Sequence, residues 1–379
     1  MAWTPELLDW MRAQAVAAGF DLAGVAPAHS AGEPAGALTA ERFAAWVEAG
    51  RAGEMEYLKR RDEAGELLRT SVQVAIPWAR SVLVCAMSYN AAAPRSVEPA
   101  PATAGWIARY AWSGTPDGAP MDYHDDMLAR LRVVEAALLG KTGCETRCYV
   151  DTGPILERDL AAKAGIGWIG KNTCVLNQQL GSWLLLGVIA TSLPAFEGEL
   201  ALAPDRCGSC TRCIDACPTD ALIAPRQMDA SLCIAYLTIE KKGMIAEELR
   251  AKVGRQVFGC DICQDVCPWN RRSPVAVKQG LMTRTELVNP DLEQLASLDA
   301  AEFKLWFKGS PLERTKRHRL HRNVAIAMGN SGDRRFAARL ERWSASEDAV
   351  LAEAARWALT RLAILTEESN LAEESKDRL

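Results

Sequence analysis

Eight of the chain's twelve cysteines lie in one segment, between Cys207 and Cys267. The first run has the spacing C-x2-C-x2-C-x3-C-P and contains Cys207, Cys210, Cys213 and Cys217. In bacterial ferredoxins this spacing places three thiolates of one loop on one [4Fe–4S] cluster, while the fourth cysteine binds a second cluster. A further cysteine, Cys233, precedes the second run, Cys260-x2-Cys263-x3-Cys267-Pro268. The segment therefore predicts one-electron transfer chemistry.

The same crossover assigns all eight cysteines to two [4Fe–4S] clusters. The predicted ligands of cluster one are Cys207, Cys210, Cys213 and Cys267, and those of cluster two are Cys217, Cys233, Cys260 and Cys263. The alternative is zinc, because Cys-x2-Cys pairs also serve zinc ribbons. Zinc sites use such pairs without the four-cysteine string that ends in proline, so the pattern favours two clusters.

A second candidate for chemistry is Asp151, which follows a short predicted strand. The turn Asp151-Thr-Gly-Pro154 comes next, and a glycine-rich stretch follows at 165–170. A carboxylate between a strand end and glycine loops is well placed to face a ligand. The alternative, which the spacing leaves open, is that Asp151 only accepts backbone N–H bonds within its own turn.

A third candidate is the basic run from Arg314 to Arg322, which contains five cations and two histidines. Such a run could bind the phosphates of a nucleic acid. The alternative is a solvated helix face, which is the commoner role of a single charged run.

The elements that would position these residues fall into three predicted regions. Residues 1–200 alternate helix and strand signals and predict an α/β domain. Residues 201–283 form the predicted ferredoxin-like module with two clusters. Residues 284–379 lose the strand signals, and their short helical segments predict an all-α, HEAT-like domain.

Composition limits the classes of function. The chain has 379 residues and a formal net charge of −4, so any nucleic-acid site must be a local basic patch. No apolar run approaches the length of a membrane span, and the N-terminus resembles no signal peptide. We therefore expect a cytoplasmic protein with no membrane partner. In the cytoplasm cysteines stay reduced, and they bind metal more often than they form disulfides.

Several motifs occur together in a fixed order and carry a resemblance to a known family. They are Asp122-Tyr-His124, Val150-Asp-Thr-Gly-Pro154, the glycine-rich stretch from Gly165 to Asn172, the eight cysteines, Tyr236-Leu-Thr-Ile-Glu240, and the stretch from Gly259 to Asn270. Together they resemble epoxyqueuosine reductases from about Phe20 to Leu362. That family uses cobalamin and two [4Fe–4S] clusters to reduce the epoxide of epoxyqueuosine at the wobble position of tRNA.

The resemblance implies roles for particular residues. Asp151 matches the proposed proton donor, which requires burial to raise its pKa towards neutral. Asp151 itself, Tyr110, Asp261 and Ile262 also match residues that bind the cobalamin, and Arg61 falls where an N-terminal contact with it is expected. It also implies a cobalamin-binding N-terminal domain and a C-terminal domain that contacts tRNA. One departure is the longer loop at 112–121, between Arg-Tyr-Ala and Asp-Tyr-His.

The alternative from a related class is a cobalamin-dependent reductase of the reductive dehalogenase type. It shares the cofactors but normally carries a twin-arginine signal, which this N-terminus lacks. The expected partners are tRNA carrying epoxyqueuosine and an external low-potential electron donor, and the expected state is a monomer.

Overall fold

A computed structural model of the protein describes residues 1–28, 34–195, 202–278 and 280–376, with side chains described outside 34–37 and 367–376. The predicted boundary at residue 200 lies outside the described residues. The N-terminal part contains helices α1 (Pro5–Ala17), α2 (Pro34–Glu48), α3 (Val72–Ala75), α4 (Tyr123–Thr142) and α5 (Glu157–Lys163). Its strands are β1 (Leu22–Pro27), β2 (Ser81–Ser88), β3 (Trp106–Ile107), β4 (Ser113–Gly114), β5 (Thr146–Tyr149), β6 (Trp168–Ile169), β7 (Val175–Leu176) and β8 (Leu184–Thr191).

Four of these strands form the central sheet, in the order β1-β2-β8-β5. Every residue of β2 is buried, because apolar clusters cover both faces of the sheet. All three pairings are antiparallel, although alternating helices and strands are typical of parallel sheets. The predicted α/β class is therefore correct in its elements and wrong in strand direction, since apolar runs indicate burial and not direction. The domain is α+β.

The cysteine-rich module consists of short elements. Its helices are α6 (Arg212–Asp215), α7 (Ile234–Ile239), α8 (Glu247–Val253) and α9 (Ile262–Asp265), and its strands are β9 (Gln256–Phe258) and β10 (Met282–Thr283). Strand β9 pairs with β3, and β10 pairs with β4, so both strands bond to the N-terminal part. The loop at 112–121 thereby has a defined structure that includes β4.

The C-terminal part is helical. It contains α10 (Leu292–Ser297), α11 (Ala300–Phe307), α12 (Lys316–Ser331), α13 (Ala337–Ser344) and α14 (Ala349–Lys376). Helix α12 packs most extensively on α14 and also contacts β9, α7 and α8. One apolar cluster extends from Met55 through Val257 to Leu362, so all three predicted regions contribute to a common core.

The described residues contain no helix that is both long enough and apolar enough to cross a bilayer.

Candidate functional site

The four predicted ligands of cluster one surround a single cavity. Its volume is about 260 Å³, and its lining includes Cys207, Cys210, Cys213 and Cys267. The first three lie on one loop, and Cys267 comes from the end of the second cysteine run. Trp168 Nε1 donates to Cys207 Sγ at 3.4 Å, and the Trp168 and Trp269 rings meet edge to face beside the cysteines. The structure thus brings together the four cysteines that the crossover pattern assigned to one cluster.

This arrangement suits a cluster better than a single zinc ion. A zinc site requires its thiolates to converge at about 2.3 Å from one point. The thiols instead surround a space, as the four ligands of an iron–sulfur cube must.

The predicted ligands of cluster two also lie close to one another. Burial, followed by the neighbouring thiol of Cys233 and then by Asp261 and Cys217, raises the pKa of Cys260 well above its usual value. Burial is also the largest cause of the raised pKa of Cys233. Desolvation favours the neutral thiol when no metal is bound, and metal binding would replace the proton.

A fifth cysteine, Cys174, lies beside this group and was not among the predicted ligands. A hydrogen bond to Cys263 lowers the pKa of Cys174. Buried Asn172 holds the two segments together, because its Oδ1 accepts from Cys174 N at 3.3 Å and its Nδ2 donates to Cys263 O at 3.5 Å. No spacing pattern indicated this neighbour, since Cys174 lies outside the two cysteine runs.

The carboxylate of Asp151 belongs to an array of polar groups at the start of α4. Asp122 Oδ1 lies 2.6 Å from His124 Nδ1, and His124 Nε2 lies 3.5 Å from Asp151 Oδ2. Tyr123 Oη donates to the same Asp151 oxygen at 3.4 Å. Asp122 is the N-cap of α4, and its carboxylate accepts from the backbone N–H of His124. This capping bond also holds the carboxylate in place beside the His124 ring. The imidazole therefore lies between two carboxylates.

The backbone of Asp151 forms the turn, and its side chain points towards His124 and Tyr123. Its φ of 57° is left-handed, a conformation that aspartate tolerates better than most residues. Its N–H donates to Glu157 Oε1 at 2.8 Å, while its side chain is 60% exposed beside His124. The structure therefore favours the ligand-facing interpretation over the one in which the carboxylate only closes its own turn.

The pKa of Asp151 moves opposite to the expectation. The hydrogen bond from His124 is the largest cause, and it lowers the pKa of Asp151 below its ordinary value. The expected rise towards neutral is therefore wrong for this conformation, because a nearby imidazole outweighs desolvation. Burial alone would lower the pKa of His124, but the bonds to Asp122 and Asp151 outweigh it and raise that pKa. The proton of the pair therefore resides on His124.

A neighbouring carboxyl, Glu157, behaves differently. Burial, reinforced by the charge of Asp151, raises the pKa of Glu157 to about 8. Glu157 is consequently mostly protonated at pH 7, and its Oε1 accepts the N–H of Asp151.

The predicted cobalamin contacts near the second cysteine run form a connected group. Tyr110 meets Tyr123 edge to face, with ring centroids 5.8 Å apart.

Asp261 is only 6% exposed, and its Oδ2 accepts from Arg109 N at 2.6 Å. Burial and nearby Asp265 raise the pKa of Asp261 to about 7. Ile262 is half-buried at the start of α9 and packs against the common core. The hydrogen bond between Arg109 N and Asp261 links the cluster-two loop to the Arg109–Tyr110 segment. Tyr110 in turn contacts Tyr123, which donates to Asp151.

Arg61 and Arg69 differ in their relation to the site. Arg61 is exposed, and its Nη1 donates to Gly65 O at 2.6 Å. Arg69 Nη1 donates to Ile155 O at 2.9 Å, immediately after the Asp151 turn. Arg69 is thus an arginine of this segment that contacts the site, and the sequence analysis missed it.

The basic run divides into two groups with different roles. Arg322 is 1% exposed and donates to the carbonyls of Lys241 and Leu237, at 2.8 and 2.7 Å. Arg319 Nη1 donates to Ile239 O at 2.6 Å. The expectation that Arg319 and Arg322 bind phosphates is wrong, because their guanidinium N–H groups already donate to backbone carbonyls. Arg314 is exposed, and its Nη2 lies 3.0 Å from His124 Nε2.

The fold and the site define a class of protein, an iron–sulfur oxidoreductase that joins an α+β domain to a two-cluster ferredoxin module. Residues 206–270 match the family described as "4Fe-4S double cluster binding domain". Residues 69–152 match the family described as "Epoxyqueuosine reductase QueG, DUF1730".

Similar whole proteins define the family more narrowly. An epoxyqueuosine reductase of Gloeobacter violaceus is 39% identical over 338 residues, which cover 85% of this chain and 96% of that protein. One of Xanthomonas campestris pv. campestris is 42% identical over 258 residues, which cover 68% of this chain and 70% of that protein. A crystal structure of epoxyqueuosine reductase with a tRNA-Tyr epoxyqueuosine-modified stem loop matches with a TM-score of 0.81 at 28% identity, covering 94% of this chain and 90% of that one. The chain belongs to the epoxyqueuosine reductase family.

Proposed function

We propose that the protein reduces the epoxide of epoxyqueuosine in the anticodon of tRNA, giving queuosine, with two [4Fe–4S] clusters and cobalamin as cofactors. The observation that carries this proposal is the connected site: the cluster-two loop bonds to the Arg109–Tyr110 segment, and Tyr110 contacts the residues around Asp151. Family membership supports the same reaction. The dehalogenase alternative is not favoured, since the similar proteins of known name reduce epoxyqueuosine.

The residues on this surface fit a cobalamin. Asp151 presents a half-exposed carboxylate on one side, and Ile262 and Tyr110 lie beside the ligands of cluster two on the other. His124 is engaged by two carboxylates, so we expect it to carry a proton and not to bind the cofactor's metal. When bound, cobalamin supplies a low-potential nucleophilic metal centre for opening the epoxide.

The protein's own residues would manage the proton in this reaction. Opening an epoxide leaves an alkoxide, which requires a proton from a nearby acid. The complete reduction consumes two electrons, delivered through the clusters, and two protons, and it releases the epoxide oxygen as water to leave the double bond of queuosine. His124 holds that proton, Asp122 fixes the ring through Nδ1, and Asp151 lies at the Nε2 side where the proton can be passed on. Asp151 therefore remains the proposed donor to substrate, with His124 as the group that reloads it.

Arg314 is the proposed link between the helical part and the RNA. It projects from the C-terminal region onto His124, so a phosphate near the modified nucleoside would lie within reach of its guanidinium. Base recognition would remain with the cofactor pocket, since phosphate contacts carry no base identity. We also infer that the protein acts in the cytoplasm as a monomer on its tRNA substrate.

The cellular test uses a bacterial strain that lacks its own epoxyqueuosine reductase. Expression of this chain should convert the accumulated epoxyqueuosine of bulk tRNA into queuosine, measured by nucleoside mass spectrometry. A strain expressing the Cys263→Ser chain at equal level should retain epoxyqueuosine. The proposal fails if the wild-type chain carries both clusters and cobalamin and leaves the nucleoside unchanged.

A further inference from the structure

The cavity of cluster one opens on a surface that is strongly positive. The charged residues that line it are Lys171, Arg206 and Arg212, and all three are cations. Arg271 and Arg272 follow directly after Trp269, another lining residue, and both are exposed. Arg206, Arg212, Arg271 and Arg272 form no ion pair with any other described residue. A local cationic surface of this kind contrasts with the net charge of −4 for the whole chain.

Nearby carboxylates neutralise little of this charge. Asp205 is paired with Arg226, and its Oδ1 also accepts from Cys207 N at 2.9 Å. Asp215 accepts from Thr211 at 2.8 Å and keeps its negative charge. The four unpaired arginines outnumber it, so the surface in front of the cavity carries a net positive charge.

Cluster one is also the more accessible of the two sites. Gly208, Ser209 and Thr211, which separate its ligands along the loop, are all exposed. The loop of cluster two faces inwards, because Asp261 is bonded to Arg109 and Gln264 to the buried Ser182. Electron transfer slows steeply with distance, so an external reductant must dock over cluster one.

We propose that this cationic surface, defined by Arg206, Arg212, Arg271 and Arg272, is the docking site of a small electron-carrier protein with an acidic face. The proposal rests on the proposed function only in requiring an external electron donor. Complementary charge steers encounter and raises association rates, more strongly at low salt. A tRNA would also be attracted by arginines, but the cavity that they surround belongs to cluster one, whereas Arg314 and Asp151 lie at the other, cluster-two side of the site.

The test measures cluster reduction without any RNA substrate. A reduced flavodoxin of strongly negative net charge is mixed in a stopped-flow instrument with the anaerobic, cluster-loaded protein, and the loss of visible cluster absorption is followed. The double variants Arg206→Glu/Arg212→Glu and Arg271→Glu/Arg272→Glu are compared with wild type, and Arg334→Glu/Arg342→Glu is the control on an exposed surface of the helical part. Iron and sulfide content is determined for each.

At low ionic strength we expect each of the first two variants to be reduced at least tenfold more slowly than wild type, with a weaker dependence on salt. Reduction by photoreduced 5-deazariboflavin, which is uncharged, should be equal in wild type, the Arg271→Glu/Arg272→Glu variant and the control, none of which alters a residue that lines the cluster-one cavity. Equal flavodoxin rates would overturn the proposal. So would variants that keep their flavodoxin rate and lose binding of an anticodon stem loop, since the surface would then be an RNA site. Neither outcome depends on whether epoxyqueuosine is turned over.

Discussion

At the scale of single residues, the neighbours of Asp151 determine its protonation more than its burial does. The bond from His124 lowers its pKa, and the same interaction helps raise the pKa of His124. A carboxylate that donates a proton must therefore receive it first, and His124 is placed to supply it. This is why the acid function belongs to the pair and not to one residue.

Replacing Asp151 by asparagine should leave both clusters and the fold intact and slow turnover by about 10²–10⁴-fold, the usual contribution of a general acid. The measurement is the single-turnover rate on an epoxyqueuosine stem loop. The matched control is Glu157→Gln, which should change the rate little because burial keeps Glu157 neutral at pH 7. A near-normal rate for the Asp151 variant would show that this residue only stabilises its turn and does not donate the proton.

The pH dependence follows from His124. Its pKa is raised above the ordinary value of about 6.5, so the imidazolium persists towards neutral pH. The rate should therefore fall as the pH rises through the raised pKa of His124. The same shift contributes stability that is present at low pH and lost as pH rises through the folded-state pKa. We expect the alkaline limb to disappear in His124→Gln, measured by single-turnover rates across pH. An unchanged limb would assign the titration to another group.

Residues with local spacing could be predicted from sequence, and residues joined only by the fold could not. The cysteine runs specify their own pattern, so the four thiols around the cavity were predicted. Cys174 and Arg69 reach their positions through turns and backbone bonds that leave no periodic signal. Asp122 and His124 were visible as a motif, but their relation to Asp151 depends on where α4 begins.

At the scale of elements, helix α12 shows how a charged run can be structural. Its basic residues suggested one phosphate-binding face, but a helix of this length has several faces and only some are solvated. Arg322 points into the common core, where backbone carbonyls around the end of α7 accept its hydrogen bonds. The pattern of charges in sequence could not distinguish these faces, because the run carries too few apolar residues to mark the buried side.

Arg322→Met should therefore lower the free energy of unfolding by about 3 kcal/mol, since several carbonyls lose charge-assisted bonds in a buried site. Chemical denaturation of the anaerobic protein measures this loss. Arg317→Met, at an exposed position of the same helix, should stay within about 0.5 kcal/mol of wild type. Equal stabilities for the two variants would contradict the buried role of Arg322.

The exposed members of the run give the RNA prediction. Neutralising Arg314, Lys316 and Arg317 together should weaken tRNA binding and flatten its salt dependence by roughly 0.7–0.9 log units per lost contact. Anisotropy titrations of wild type and the triple variant at several salt concentrations provide the slopes. Parallel slopes would show that these three residues form a solvated helix face.

At the scale of the whole molecule, three predicted regions share one core. The helical part packs through α12 onto β9, and β9 pairs with β3 of the N-terminal part. Sequence patterns predicted most of the long elements, including β2, β8 and α4. They missed the antiparallel direction of the sheet and the two-residue pairings between regions, because short strands carry no periodicity and long-range pairing is invisible in a local window.

The two-cluster architecture predicts about eight iron atoms and eight sulfides per chain after anaerobic reconstitution. Cys213→Ser and Cys263→Ser should each remove mainly one cluster, because the crossover gives them to different sites. Metal and sulfide analysis together with electron paramagnetic resonance tests this directly. Stoichiometric zinc without sulfide would restore the zinc alternative.

The most direct test of the central claim is a single turnover with purified components. The anaerobic protein, loaded with both clusters and cobalamin and reduced, is mixed with an anticodon stem loop that carries epoxyqueuosine, and the nucleosides are analysed by mass spectrometry. We expect queuosine to appear, lighter than its precursor by one oxygen atom, with wild type and not with the Asp151→Asn variant on the same timescale. Unchanged epoxyqueuosine with fully loaded, fully reduced wild-type protein would contradict the account.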